Sequence, residues 1–145
     1  MALKPYQTAM AAEYFVMSAL YRLGLDASLT LGNRKQIDIV VERPGRIPIT
    51  IDVKGVYGKG PWLLTEADPA PGHFLVFVSF EGTAAASTSP TSFIIPAQEL
   101  TQFLKPITKW STGKTKYSDV SYARIRDSNY REAWHLIRDA VGDPS

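Results

Sequence analysis

IDIVVERPGRIPITIDVKG, residues 37–55, is the stretch that decides how this 145-residue chain folds. Two runs rich in Ile, Val and Thr flank Pro44-Gly45, the pattern of two strands joined by a tight turn. The spacing predicts strands over QIDIVVE (36–42) and IPITIDVKG (47–55). Alternation in the second puts Ile49, Ile51 and Val53 on one face and Thr50, Asp52 and Lys54 on the other. A turn through Pro44, Gly45 and Arg46 pairs positions that sum to 90, which sets Asp38 across from Asp52. Opposed side chains have Cβ atoms only about 4.5–5.5 Å apart, so two ionised carboxylates there destabilise the sheet unless a cation joins them. Lys54 offers one positive charge, and an oxygen-lined pair of acids also suits a hard divalent ion such as Mg2+, completed by water and a phosphate.

A third acid comes from the helix expected upstream. Ala12, Phe15, Val16, Ala19, Leu20 and Leu23 recur at three- and four-residue spacing, predicting a helix from about Thr8 to Leu23 stopped by Gly24. Glu13 flanks that apolar stripe, at the edge of the expected contact between helix and sheet, where it looks toward the same corner. ASLTL (27–31), ended by Gly32-Asn33, reads as a short strand.

Downstream, the glycines and prolines of residues 56–72 predict a loop with one short element near Trp62–Leu64. HFLVFVSF (73–80) reads as a strand buried on both faces, and the small polar run 82–91 as a loop. SFIIP (92–96) predicts a short strand leading into a helix at AQELTQFL (97–104). VSYARI (120–125) is expected as a strand, and a last amphipathic helix is expected from Ser128, as its cap, to Val141. One domain over 1–145 is the expectation, its core over about 8–104 and a basic loop and terminal helix over 105–141.

Composition narrows the chemistry. No apolar run approaches the roughly 18 residues of a membrane span, and the amino-terminal segment, interrupted by Glu13 and Arg22, does not read as a secretory signal. The expectation is a soluble, cytoplasmic protein. The absence of cysteine excludes disulfides, thiolate nucleophiles and cysteine-bound zinc. His73 and His135 are assigned no catalytic role. The net charge of +2 conceals an asymmetry: residues 105–131 hold seven Lys and Arg against Asp119 and Asp127. A basic surface of that kind faces phosphates. GKT at 113–115 imitates the end of a P-loop, but Thr108 stands where its first glycine is needed, which excludes a nucleoside triphosphate site of that type.

Glu13 on a first helix, Asp38 on a second strand and Asp52-Val53-Lys54 on a third, in that order, resemble the catalytic pattern of the PD-(D/E)XK nuclease superfamily. The likeness covers residue 8 to about 80 and is nearest to short prokaryotic members related to Holliday-junction resolvases or to uncharacterised endonuclease-like proteins. Asp-x-Lys alone is a frequent triplet; the element order and the 14-residue gap between the two aspartates carry the resemblance. It implies an α/β, restriction-endonuclease-like fold, with a mixed central sheet flanked by helices and the first helix followed by a three-strand meander. It also implies that Asp38, Asp52 and the Val53 carbonyl ligate Mg2+, for which Mn2+ can substitute, and that Glu13 binds the ion directly or through water. Lys54 then attends the attacking water and the phosphate, and the reaction is phosphodiester hydrolysis of DNA.

Two features depart from the family pattern: Ile37 replaces the proline before Asp38, and residues 56–72 are poor material for a helical crossover. Lys59, Lys109, Lys114, Lys116, Arg124 and Arg126 are the candidate nucleic-acid contacts, with DNA preferred to RNA as partner and a homodimer allowed by one site per chain. Trp110, Tyr117 and Tyr122 are candidates either for stacking on bases or for packing in the core. The alternative function is a catalytically silent nucleic-acid-binding or assembly module, in which Asp52 and Lys54 form an ordinary surface pair contributing roughly 0–1 kcal/mol.

Overall fold

Helix α1 spans Pro5–Arg22 and so begins three residues before the apolar stripe suggested. Pro5 explains the difference: at a helix start its missing N–H costs nothing and its fixed φ suits the first turn. The Gln7 side chain completes that turn by accepting the Lys4 backbone N–H at 2.9 Å. The helix ends at Leu23, followed by Gly24 at φ +81, a left-handed conformation that glycine adopts without strain. Thr8, Ala12, Val16 and Leu20 form its buried face.

The computed structural model describes residues 3–30, 37–65, 70–81 and 87–142. The expected strand end at Gly32-Asn33, Gln36 at the head of the second strand and residues 82–86 of the polar run lie outside them.

Three strands follow the helix as an antiparallel meander: β1 (Ala27–Leu29), β2 (Ile39–Val41) and β3 (Ile49–Tyr57). Their register pairs Ile39 with Ile51, Val40 with Thr50 and Val41 with Ile49, so partner numbers sum to 90 as the turn length predicts. After β4 (Trp62–Thr65), the chain returns as β5 (His73–Phe80), parallel to β3, and β6 (Thr91–Pro96) closes the sheet antiparallel to β5. The strand order is β1-β2-β3-β5-β6. Among the described residues no helix lies in the β3-to-β5 crossover; it contains β4, a member of a second, three-stranded sheet with β7 (Lys105–Pro106) and β8 (Tyr117–Val120).

Each face of the central sheet has its own apolar layer. Ile49, Ile51 and Val53 pack with α1 and with Phe74, Val76, Val78 and Ile94. On the other side Leu75, Phe77, Phe93 and Ile95 pack with Trp62, Leu64 and Val120 of the small sheet. Gly55 shows how closely α1 lies on β3: a Cβ there would stand 2.7 Å from the Ala12 Cβ and 3.2 Å from the Thr8 carbonyl oxygen. Only a residue without a side chain permits that approach.

Three expected elements take other forms. Residues Ala97–Phe103 are a 3-10 helix rather than an α-helix, and their buried positions 97, 100 and 103 recur at its period of three. The strand expected at 120–125 ends at Val120; Ser121 then accepts the Arg124 N–H at 3.2 Å and starts a short helix, α2 (Tyr122–Ile125). The last helix, α3 (His135–Val141), begins seven residues later than Ser128. The intervening segment docks on β6 instead, where Arg131 bridges Phe93 and the Glu132 carboxylate accepts both the Ser92 N–H (2.7 Å) and the Ser92 hydroxyl (2.9 Å). No described helix is long and apolar enough to cross a membrane.

Candidate active site

Asp38 stands one residue before β2, yet its backbone is held on both sides. Its N–H donates to the Ile51 carbonyl at 2.8 Å, and its own carbonyl accepts the Thr30 N–H at 2.9 Å. The side chain then reaches across to β3, where Oδ2 accepts the Val53 N–H at 2.8 Å. That bond lies between the two residues of the Asp52-x-Lys54 triplet, so one carboxylate fixes the backbone that carries the other two charged groups.

Asp52 is almost fully buried, with 5% of its side chain exposed, whereas Lys54 keeps 34%. The Lys54 ammonium lies 3.6 Å from Asp52 Oδ1. The pocket of charge therefore opens to solvent on the Lys54 side and closes at Asp52. Burial pushes the Asp52 carboxyl up to about 7; Lys54 opposes that rise, and Asp38, close enough to share a hydrogen bond with it, adds to it. Near neutral pH the site thus exchanges a proton, and a cation entering between the acids would displace it.

The cover over Asp52 lies on the side of the sheet away from the long helix. Helix α1 packs on the face that carries Ile49, Ile51 and Val53, and Asp52 points to the opposite one. Its parallel neighbour there is Leu75, part of the second apolar layer. On the same face Thr50 and His73 share a hydrogen bond of 2.7 Å, a side-chain pair beside the acids that the strand pattern did not signal.

Glu13, partly buried on α1, has its carboxyl raised by burial and, secondarily, by the charge of Asp38. It therefore lies within electrostatic reach of the pair. Among the described residues no group of three or more His, Asp or Glu side chains is placed to hold a metal ion. The donor set the structure brings together is Asp38 with Asp52, flanked by Lys54, and Glu13 stands one step out. Two acids separated by hydrogen-bonding distance are oxygen donors of the kind Mg2+ prefers, and the buried partner's reluctance to ionise is what such an ion relieves.

The basic candidates divide. Lys114 and Lys116 are exposed on their loop, and Lys109 lies 5.5 Å from the Trp110 ring centroid. Lys59 sits 5.7 Å above the Tyr122 ring, and Arg126 pairs with Asp127 at 3.3 Å. Arg124 is committed internally: it bonds Asp119 at 2.6 Å, the Ser121 hydroxyl at 2.9 Å and the Phe103 carbonyl at 2.5 Å. Trp62, 1% exposed, is core, where its indole N–H donates to the Val78 carbonyl at 3.2 Å.

A leading helix, an antiparallel meander and a fourth core strand parallel to the third constitute a restriction-endonuclease-like fold. In structure the chain is similar to the bacterial homing endonuclease I-Ssp6803I, with a TM-score of 0.56 over 99% of this chain and 99% of that one, at 16% sequence identity. No protein-family model matches the sequence, and no curated protein matches it.

Proposed function

We propose that this chain is a divalent-metal-dependent DNA endonuclease of the PD-(D/E)XK superfamily, one nuclease domain over residues 1–145. The observation that carries the reading is the knot of Asp38, Val53, Asp52 and Lys54, in which one acid is locked to the backbone of the triplet and the other is buried beside an ammonium. The likeness of fold to a homing endonuclease across the whole chain supports it.

In this reading Asp38, Asp52 and the Val53 carbonyl hold Mg2+, or Mn2+ in its place, with Glu13 acting through water. The ion supplies Lewis acidity toward a phosphoryl oxygen and lowers the pKa of a nearby water. Asp38 keeps the triplet's backbone in register. Asp52, ionised once the cation is present, anchors it on the closed side of the site. Lys54, the exposed member, orients the attacking water by donating from its ammonium and offsets charge developing on the phosphate. Lys59, Lys109, Lys114, Lys116 and Arg126 contact the sugar-phosphate backbone, and Arg124 shapes the surface that carries them. Two copies, one per strand, account for a double-strand break. Within the superfamily the Holliday-junction-resolvase-like members remain the proposed relatives, which makes branched DNA a substrate to include.

The test is incubation with supercoiled, single-stranded and four-way DNA in Mg2+ or Mn2+. Nicking or cleavage that disappears in Asp52→Ala and Lys54→Ala is the expected result. Activity that survives both substitutions overturns the site assignment, and salt-sensitive binding without turnover leaves only a binding module.

A further inference from the structure

We infer that the groove between the β3–β4 turn and α2 is a second phosphate site, which grips the backbone of duplex DNA to one side of the bond being cut. The direction of that statement rests on the nuclease reading; the groove's affinity for DNA does not.

The groove encloses about 570 Å3 between Lys59-Gly60-Pro61 on one wall and residues 121–126 on the other, with Lys105 contributed by β7. Four cationic side chains line it against one acid, Asp119. Arg124 neutralises that acid at 2.6 Å and is further tied to Ser121 and Phe103, so it builds the wall. Lys59, Lys105 and Arg126 are left facing solvent. Neither lysine has an ion pair among the described residues, and the pairing of Arg126 with the fully solvated Asp127 is of the weak surface kind. Three cations gathered around a concave surface with their one counter-charge already satisfied make a receptor for an anion.

The aromatic at the groove indicates which part of a nucleotide enters. Tyr122 is stacked with buried Trp62 (centroids 6.3 Å apart, 25° between planes) and carries the Lys59 ammonium over its ring at 5.7 Å. The ring is therefore occupied in placing a cation and offers no open platform for a base. Phosphate is the group that fits.

Groove and acids share one side of the sheet. Asp52, Lys54 and Val56 alternate onto the same face of β3, and Val56 packs against the apolar cluster that includes Trp62 and Tyr122. Lys59 follows Lys54 by five positions, and because the chain turns at Gly58 their Cα atoms lie at most about 17 Å apart. That is about five steps of duplex at 3.4 Å each. The second grip thus falls on a phosphate within about five nucleotides of the scissile one.

The test uses the full chain and a labelled DNA duplex in EDTA, so that binding is measured without cleavage. Reversing Lys59, Lys105 and Arg126 to Glu should lower the slope of log K against log salt by about three, since each phosphate contact contributes about 0.9. Over a decade of salt the wild type then loses several hundredfold more affinity than the variant. A charge-matched reversal of exposed Arg22, Arg46 and Arg138, on other elements, should retain the wild-type slope. Glutamine at the three groove positions should reproduce the loss in milder form with an unchanged thermal transition. Equal losses in the two charge-reversed proteins, or none in the groove variant, overturn the proposal. Tighter binding to an RNA duplex of the same sequence overturns its assignment to DNA. The catalytic reading is tested by loss of cleavage in Asp52→Ala, and the groove by the salt slope in EDTA, so either idea can fail alone.

Discussion

The two faces of β3 are built on different principles. On one, Ile49, Ile51 and Val53 meet a single long helix at a distance so short that Gly55 must lack a side chain. On the other, Thr50, Asp52 and Lys54 share the side of the sheet on which the short strands β4 and β8 and the 3-10 helix pack. The first face is apolar and stabilises the fold; the second trades part of that stability for a buried carboxylate. The contrast shows how neighbouring residues of one strand divide between folding and chemistry by alternation alone.

The largest expected effect breaks the symmetry of that division. Ile51→Asp should leave no folded protein by circular dichroism, because an unpaired charge on the helix face costs several kcal/mol and nothing there can neutralise it. Asp52→Asn, one position along, should unfold at a higher temperature than the wild type at pH 8 while cleavage falls by about 10^3. The pH dependence follows from the same carboxyl. Its folded value, about 7, lies above its unfolded one, so the stability this carboxyl contributes is fully present below about pH 4 and is lost as pH rises through 7. The total is up to about 4 kcal/mol, read by urea denaturation, and it should vanish in Asp52→Asn and shrink in saturating Mg2+. Gly55→Ala tests the helix face and should cost about 1–3 kcal/mol by forcing α1 off the strand. Smallest is Glu13→Gln, expected to slow cleavage about tenfold with little change in stability.

The first face, and the acids beside it, were legible in the sequence. Turn length predicted the pairing that sums to 90, which holds from Ile39–Ile51 to Val41–Ile49; Asp38 stands just beyond that ladder, its N–H on the Ile51 carbonyl rather than in a pair with Asp52. What it did not reveal was that Asp38 spends an oxygen on the Val53 N–H, since side-chain bonds to backbone leave no periodic trace. The second face was harder because its parts are short. A strand of two residues, Lys105–Pro106, and a helix of four, Tyr122–Ile125, fall below the length at which periodicity means anything. The late start of α3 has a similar cause. Residues before it follow the edge of β6, a tertiary preference that overrides an amphipathic pattern, and Glu132 takes φ 51 to do so. The three-residue rhythm of Ala97, Leu100 and Phe103 was visible and admits either helix type until length and Pro96 are weighed.

The contact at Gly55 couples the long helix to the strand bearing Asp52, so a shift of one must carry the other. Whatever adjustment accompanies the arrival of a polynucleotide must then come from the turns on the far side, around Lys59 and Tyr122. Stiffening those turns should slow the turnover of bound DNA before it alters the affinity of the acidic pair for a metal.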